Sequence, residues 1–116
     1  LGAFYGKTND SITIPTNITV IGIESFSSLT NLTTITIHEG ITTVMARAFA
    51  DCTNLSTVII ESSLIAAENS TESELLNHAT KVYVKTGLTV GTYISGNYTK
   101  AETSDKTGYD LYTKNV

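Results

Sequence analysis

Leu32-Thr33-Thr34-Ile35-Thr36-Ile37 returns 23 residues later as Leu55-Ser56-Thr57-Val58-Ile59-Ile60. Both copies alternate aliphatic and outward positions, and β-branched residues in alternation mark a short strand with one face on a core. Sliding the whole chain by 23 places extends the match in both directions. Ile12 falls on Ile35 and Val58, Ile14 on Ile37 and Ile60, Ile18 on Ile41 and Leu64, and Ile21 on Val44 and Ala67. Phe26 falls on Phe49, and Leu29 on Cys52 and Leu75, while Asn31, Asn54 and Asn77 coincide. So many coincidences at one offset define a repeat. Ala79, Val82 and Val84 join the series at an offset of 24, so the third unit carries one extra residue.

These matches divide the chain into repeats over 11–33, 34–56 and 57–79, followed by a last strand over 80–84. Gly2-Ala3-Phe4-Tyr5-Gly6 resembles the Ser25-Phe26-Ser27 region at an offset of 22, so residues 1–10 read as the tail of a truncated repeat. Within a unit, Pro15 or Gly40 turns the chain out of the strand. A second extended stretch follows, at Ile18 to Ile21 and Ile41 to Val44. A compact segment around Ala48-Phe49 then places Phe26 and Phe49 as plugs on the convex side. In the third unit, Thr71-x-x-Glu74 has the form of a capping box, which predicts one or two helical turns near Glu72 to His78. A single unit cannot bury enough apolar surface to offset the entropy of ordering it, so the units must stack.

The string Ser11-Ile12-Thr13-Ile14-Pro15, Ile18-Thr19-Val20-Ile21-Gly22, Ser25-Phe26 and Leu32 resembles the BspA-like leucine-rich-repeat family. Ala48-Phe49 and Cys52 stand where that family has its Ala-Phe and Cys. His38 replaces the proline, Met45 the glycine and Leu29 the cysteine, and the third unit lacks its Phe. The resemblance covers about Ile12 to Val84. It implies a right-handed, β-rich solenoid of about three repeats with short or no convex helices. It also implies a non-enzymatic interaction module of an extracellular or cell-surface protein, engaged in adhesion or in binding host or neighbouring cells.

Composition narrows the partners. The chain has 116 residues, a formal net charge of −4 and a sequence pI near 4.9. Its seven Lys and Arg are scattered, so nucleic acid is not an expected partner. No apolar run is long enough to span a membrane, and no signal peptide is visible at the start. The one cysteine, Cys52, can form no intramolecular disulfide. Six Asn-x-Ser/Thr triplets begin at Asn9, Asn17, Asn31, Asn54, Asn69 and Asn97, as a chain rich in Thr and Asn produces by chance.

No residue pattern calls for catalysis, a cofactor or a metal. Cys52 occupies a core position, where a packed thiol is expected rather than a nucleophile. His38 and His78 lack partners for a metal site. Glu61, Glu68, Glu72 and Glu74 read as a solvated face rather than an acid–base pair. What remains is a surface. If Ile12 and Ile14 point inward, Thr13, Thr36, Ile59 and Tyr83 point outward as one ladder, flanked by Ser11, Thr34, Thr57 and Lys81 on one side and Pro15, His38, Glu61 and Lys85 on the other. An outward Ile59 beside Tyr83 is a candidate contact for a protein or glycan ligand; alternatively Ile59 packs on Tyr83 or on the cap and binds nothing. Residues 85–116 lose the period and gather Tyr93, Tyr98, Tyr109 and Tyr112. They are expected to cap the stack, with a turn or helix at Thr89 to Ile94 and a strand at Tyr109 to Thr113; the rival reading is a tyrosine-bearing contact surface. The rival for the whole chain is a structural spacer or terminal cap of a larger surface protein, with no ligand of its own.

Overall fold

A computed structural model describes residues 11–116. The tail of a truncated repeat expected at residues 1–10, and the triplet at Asn9, lie outside the described residues. The fold is a β-solenoid of about three turns. Its main wall is a six-stranded sheet. β1 (Ser11–Ile12), β3 (Thr34–Ile37), β5 (Thr57–Ile60) and β6 (Lys81–Lys85) run parallel in the order of the chain. Between the first two lies β2 (Val20–Ile21), which pairs with β4 (Thr43–Val44) in a small second sheet.

The registers are those of the 23-residue period. Ile12 stands opposite Ile35, Ile35 opposite Val58, and Ile37 opposite Ile60. At the next step Val58 meets Val82 and Ile60 meets Val84, the offset of 24. Alternate residues point inward, so these aliphatic side chains form one continuous core in which Ile35, Ile37, Val58, Ile60 and Val82 are at most 1% exposed. Phe26 and Phe49 close the core from the opposite wall, stacked with ring centroids 4.9 Å apart and an interplanar angle of 3°.

The turns repeat as faithfully as the strands. Glu24 and Arg47 have left-handed backbone, as do Ser28, Asp51 and Glu74, each set spaced by 23. Non-glycine residues pay for that conformation, and here it aims amides at the neighbouring coil. Phe26 N donates to Ala48 O at 2.8 Å and Ser28 N to Ala50 O at 2.7 Å.

This ladder overrides the helix expected near Glu72 to His78. Those residues form turns, Arg47 N donates to Glu72 O and Phe49 N to Ser73 O, both at 2.9 Å, and Glu74 breaks helical geometry at φ 64°. Instead, α1 (Ser63–Ala66) forms directly after β5, capped by Ser62 Oγ accepting from Ile65 N at 3.3 Å. The same Ser62 hydroxyl donates to Ile41 O at 2.6 Å. This turn rotates the register by one place. Ile65 and Ala66 enter the core, while Leu64, aligned with the buried Ile41, is 57% exposed. Ile18, aligned with the same position, is also exposed.

After β6 the chain makes α2 (Thr92–Asn97), starting three residues into the stretch expected to turn, and then β7 (Tyr98–Lys100) and β8 (Tyr109–Lys114). β8 pairs antiparallel with β6, and β7 with β8, giving the sheet order β1-β3-β5-β6-β8-β7. Gly91 marks the junction. Its N–H donates to Ala66 O at 2.8 Å, and an added Cβ would lie 2.1 Å from Glu68 O.

Candidate functional site

The six-stranded sheet brings the strand residues of the expected ladder into register. Register places Ser11, Thr34, Thr57 and Lys81 in one row and Thr36, Ile59 and Tyr83 in the next, with Thr13 one residue beyond β1. The third row, Pro15, His38, Glu61 and Lys85, lies at the strand ends. Here His38 joins two coils. Its Nδ1 accepts from Gly40 N at 3.0 Å, so the ring hydrogen sits on Nε2, which donates to Pro15 O at 3.0 Å. The imidazole thus stands in for the turn-making proline of the unit before.

The two halves of the outer face differ. In the half built by β6 and β8, Tyr83 is not an open contact side chain: it is 7% exposed. Its hydroxyl donates to Asp105 Oδ1 at 2.6 Å, and Leu111 stands opposite it on β8. Tyr109, opposite Lys85, reaches across β6 to give its hydroxyl to the Glu61 carboxylate, and Lys106 Nζ lies 4.7 Å from the Tyr109 ring centroid. The connection 101–108 therefore lies over this end of the face. Hydrogen bonding to Asp105 raises the Tyr83 phenol above the ordinary tyrosine range, and the same bond lowers the Asp105 carboxyl. Glu61 likewise holds the Tyr109 phenol up. Sequence alone gave no sign of this contact, because Asp105 and Lys106 belong to no period.

Among the described residues the other half is open: Ser11, Ile12, Thr13, Ile14, Thr16, Thr34, Thr36 and His38 line a depression of about 260 Å³ at its β1 edge.

The remaining candidates are held in separate places. Cys52 is buried, its Sγ donates to Phe26 O at 2.9 Å, and desolvation pushes the thiol up, away from the reactive thiolate. The four glutamates do not form a pair. Glu61 holds Tyr109, and Glu74 accepts from Arg47 and from Asn77. Glu68 and Glu72 border a depression of about 100 Å³ beside Val44, where partial burial raises the Glu68 carboxyl. Among the described residues no group of three or more His, Cys, Asp or Glu is placed to hold a metal, and no helix is long and apolar enough to cross a membrane.

A stacked wall of in-register strands with an outward ladder is the construction of a leucine-rich-repeat solenoid. The chain belongs to the BspA type of that class: the model of the BspA type leucine rich repeat region matches residues 2–93 in six copies. The match extends past the quoted motifs at both ends. No curated protein and no solved structure matches the sequence. The family consists of interaction and adhesion-type repeat modules, generally without enzymatic activity, and is typical of surface or secreted bacterial proteins.

Proposed function

We propose that this chain is a non-enzymatic binding module of a secreted or cell-surface protein, engaging a host or neighbouring-cell ligand through the outer face of its six-stranded sheet. The observation that carries this reading is the open half of that face, where β1, β3 and β5 hold Ser11, Thr34, Thr57 and Thr36 in register on a rigid, fully buried core. Rigid elements preorganise a surface and lower the entropy lost on binding. Ile59 borders this half, whereas Tyr83, Lys81, Glu61 and Lys85 belong to its far side. Residues 1–84 form the repeat stack in this reading, and 85–116 its C-terminal cap. Two observations support the cap: β8 and β7 run antiparallel beside β6, and Tyr98, buried, gives its hydroxyl to Leu76 O at 3.2 Å and Ala79 O at 2.8 Å.

A second reading makes the chain a spacer, because half of the outer face is already occupied by the chain itself. Fluorescently labelled chain incubated with intact cells separates the two. A double variant, Thr36→Arg with Thr57→Arg, places two bulky cations on the open half. A binding module loses at least tenfold in cell-bound label while melting as the parent does. Labelling by neither parent nor variant favours the spacer, and equal labelling by both overturns the assignment to this face.

A further inference from the structure

We infer that Ile59, Tyr83 and Leu111 form a docking row for an acidic segment of a partner protein, and that the 101–108 connection holds this place with its own Asp105 until such a segment displaces it. The inference rests on the binding-module reading and extends the contact face beyond the open half. Ile59 stands opposite Tyr83 and Tyr83 opposite Leu111, so the three share the outer side of neighbouring strands about 4.8 Å apart. The adjacent row on the same side, Thr57, Lys81 and Thr113, is polar. The cover over the apolar row is not held by apolar packing. Apart from Ala101 and Gly108 it consists of Glu, Thr, Ser, Asp and Lys, and none of its residues is buried. Ser104 Oγ accepts from Lys106 N at 3.1 Å, a turn that carries Asp105 at its tip. Asp105 takes the Tyr83 hydrogen bond, and Lys106 lies against the Tyr109 ring. Backbone bonds pin both ends to the sheet, Ala101 N to Leu111 O at 2.8 Å and Thr86 N to Gly108 O at 3.0 Å. Between these points the segment can lift without breaking a strand pair.

The contact made by the cover shows what fits beneath it. Tyr83 presents a hydroxyl donor, and Lys81, two residues earlier on β6, lies on the same side of the strand. The Tyr83 bond lowers the Asp105 carboxyl most, and the charges of Lys81 and Lys106 add to the effect. When the cover lifts, Asp105 and Lys106 leave with it, whereas Tyr83 and Lys81 stay on the sheet. What remains is a hydrogen-bond donor beside a cation, the pairing that receives a carboxylate. Ile59 and Leu111 flank it and accept aliphatic side chains on either side of the acid. Tyrosine ringed by apolar neighbours is also a common anchor for protein partners. Asp105 is therefore the intramolecular stand-in for an aspartate or glutamate of the partner.

The probe is the end-capped peptide Leu-Ser-Asp-Ser-Leu, with Leu-Ser-Asn-Ser-Leu as its neutral counterpart, titrated to millimolar concentration into the isotope-labelled whole chain and followed by amide shifts. Asp105→Ala frees the cover and keeps the site, while Asp105→Ala with Tyr83→Phe removes the donor as well. A site covered about nine-tenths of the time binds about tenfold more weakly than one always open. Asp105→Ala should therefore bind the acidic peptide about tenfold more tightly than the parent, with shifts in β5, β6 and β8. The neutral peptide should bind that variant about tenfold more weakly than the acidic one, and the double variant should lose most of this preference. Equal affinity of parent and Asp105→Ala overturns the inference, as does equal affinity for the two peptides. Acid preference kept in full by the double variant, or no saturable binding to Asp105→Ala, overturns it too. None of these results involves the open half, so the binding-module reading stands or falls separately, on the labelling of cells.

Discussion

The Tyr83 hydroxyl donates to Asp105 at 2.6 Å, linking the middle of the outer face to a connection 22 residues further along the chain. The bond turns a side chain that strand alternation directs outward into a buried one. It also divides the face, because the segment carrying Asp105 rests over β6 and leaves β1 and β3 open.

Loosening that contact should expose Tyr83 without unfolding the stack. In Tyr83→Phe or Asp105→Asn, amide protons of the connection 101–108 are expected to exchange faster, while those of β3 and β5 keep their protection. The chain has no Trp, so in Asp105→Asn tyrosine fluorescence should be quenched more readily by acrylamide. Unchanged exchange in both variants would mean that the connection is held by other contacts. Acid should act like Asp105→Asn. The bound carboxyl is lowered, so its contribution is present above the unfolded value and fades as pH falls through the folded one.

Alkaline pH tests the other buried phenol. Desolvation pushes Tyr98 up to about 12, since ionisation would place a charge among the carbonyls of Leu76 and Ala79. A raised acid stabilises the fold fully below its unfolded value near 10 and loses that contribution as pH climbs towards 12. The melting temperature should fall across this window in the parent. In Tyr98→Phe it should start lower and lack that component of the fall. A parent profile flat from pH 10 to 12 contradicts the assignment.

Gly91→Ala should be among the most damaging single methyl additions. The new Cβ would lie 2.1 Å from Glu68 O and 2.3 Å from Ala67 O, both backbone atoms that cannot swing away. The 66–68 turn or α2 must shift, at a cost of about 3 kcal/mol. Urea unfolding measures it. Gly96→Ala, with nothing within 4 Å of its new Cβ, serves as the control and should lie within about 1 kcal/mol of the parent.

Phe49→Ala should cost about 3–5 kcal/mol, because it empties a site 1% exposed and removes one ring stacked on Phe26. Phe49→Leu should cost less than half as much. Equal losses in chemical denaturation would show that the stacked geometry, rather than filled volume, dominates at this position.

Ser28→Gly should be neutral or stabilising by up to about 1 kcal/mol. Ser28 has φ 61°, its side chain is exposed, and its amide bond to Ala50 O survives the change. Glycine removes the left-handed penalty but adds freedom to the unfolded chain. Ser28→Val, with a β-branched side chain at the same angle, should lower the melting temperature by several degrees.

The sequence by itself determined the period, and with it the identity of the inward residues. Ile12, Ile35, Val58 and Val82 must coincide because each parallel strand repeats the pleat of the one beside it, so side-chain direction is inherited from coil to coil. The stacked Phe26 and Phe49 and the buried Cys52 follow from the same arithmetic. Tertiary structure decided what periodicity does not encode. A locally plausible helix at 72–78 gave way to amides of the neighbouring coil that needed carbonyl partners at Glu72 and Ser73, and the turn at Ser62 moved the buried place from Leu64 to Ile65. The state of Tyr83 depended on Asp105, in a segment with no repeat partner. Stacking is a nearest-neighbour interaction written at a fixed spacing. The closure of one end of the face is a single long-range contact, set only when the chain has folded back upon itself.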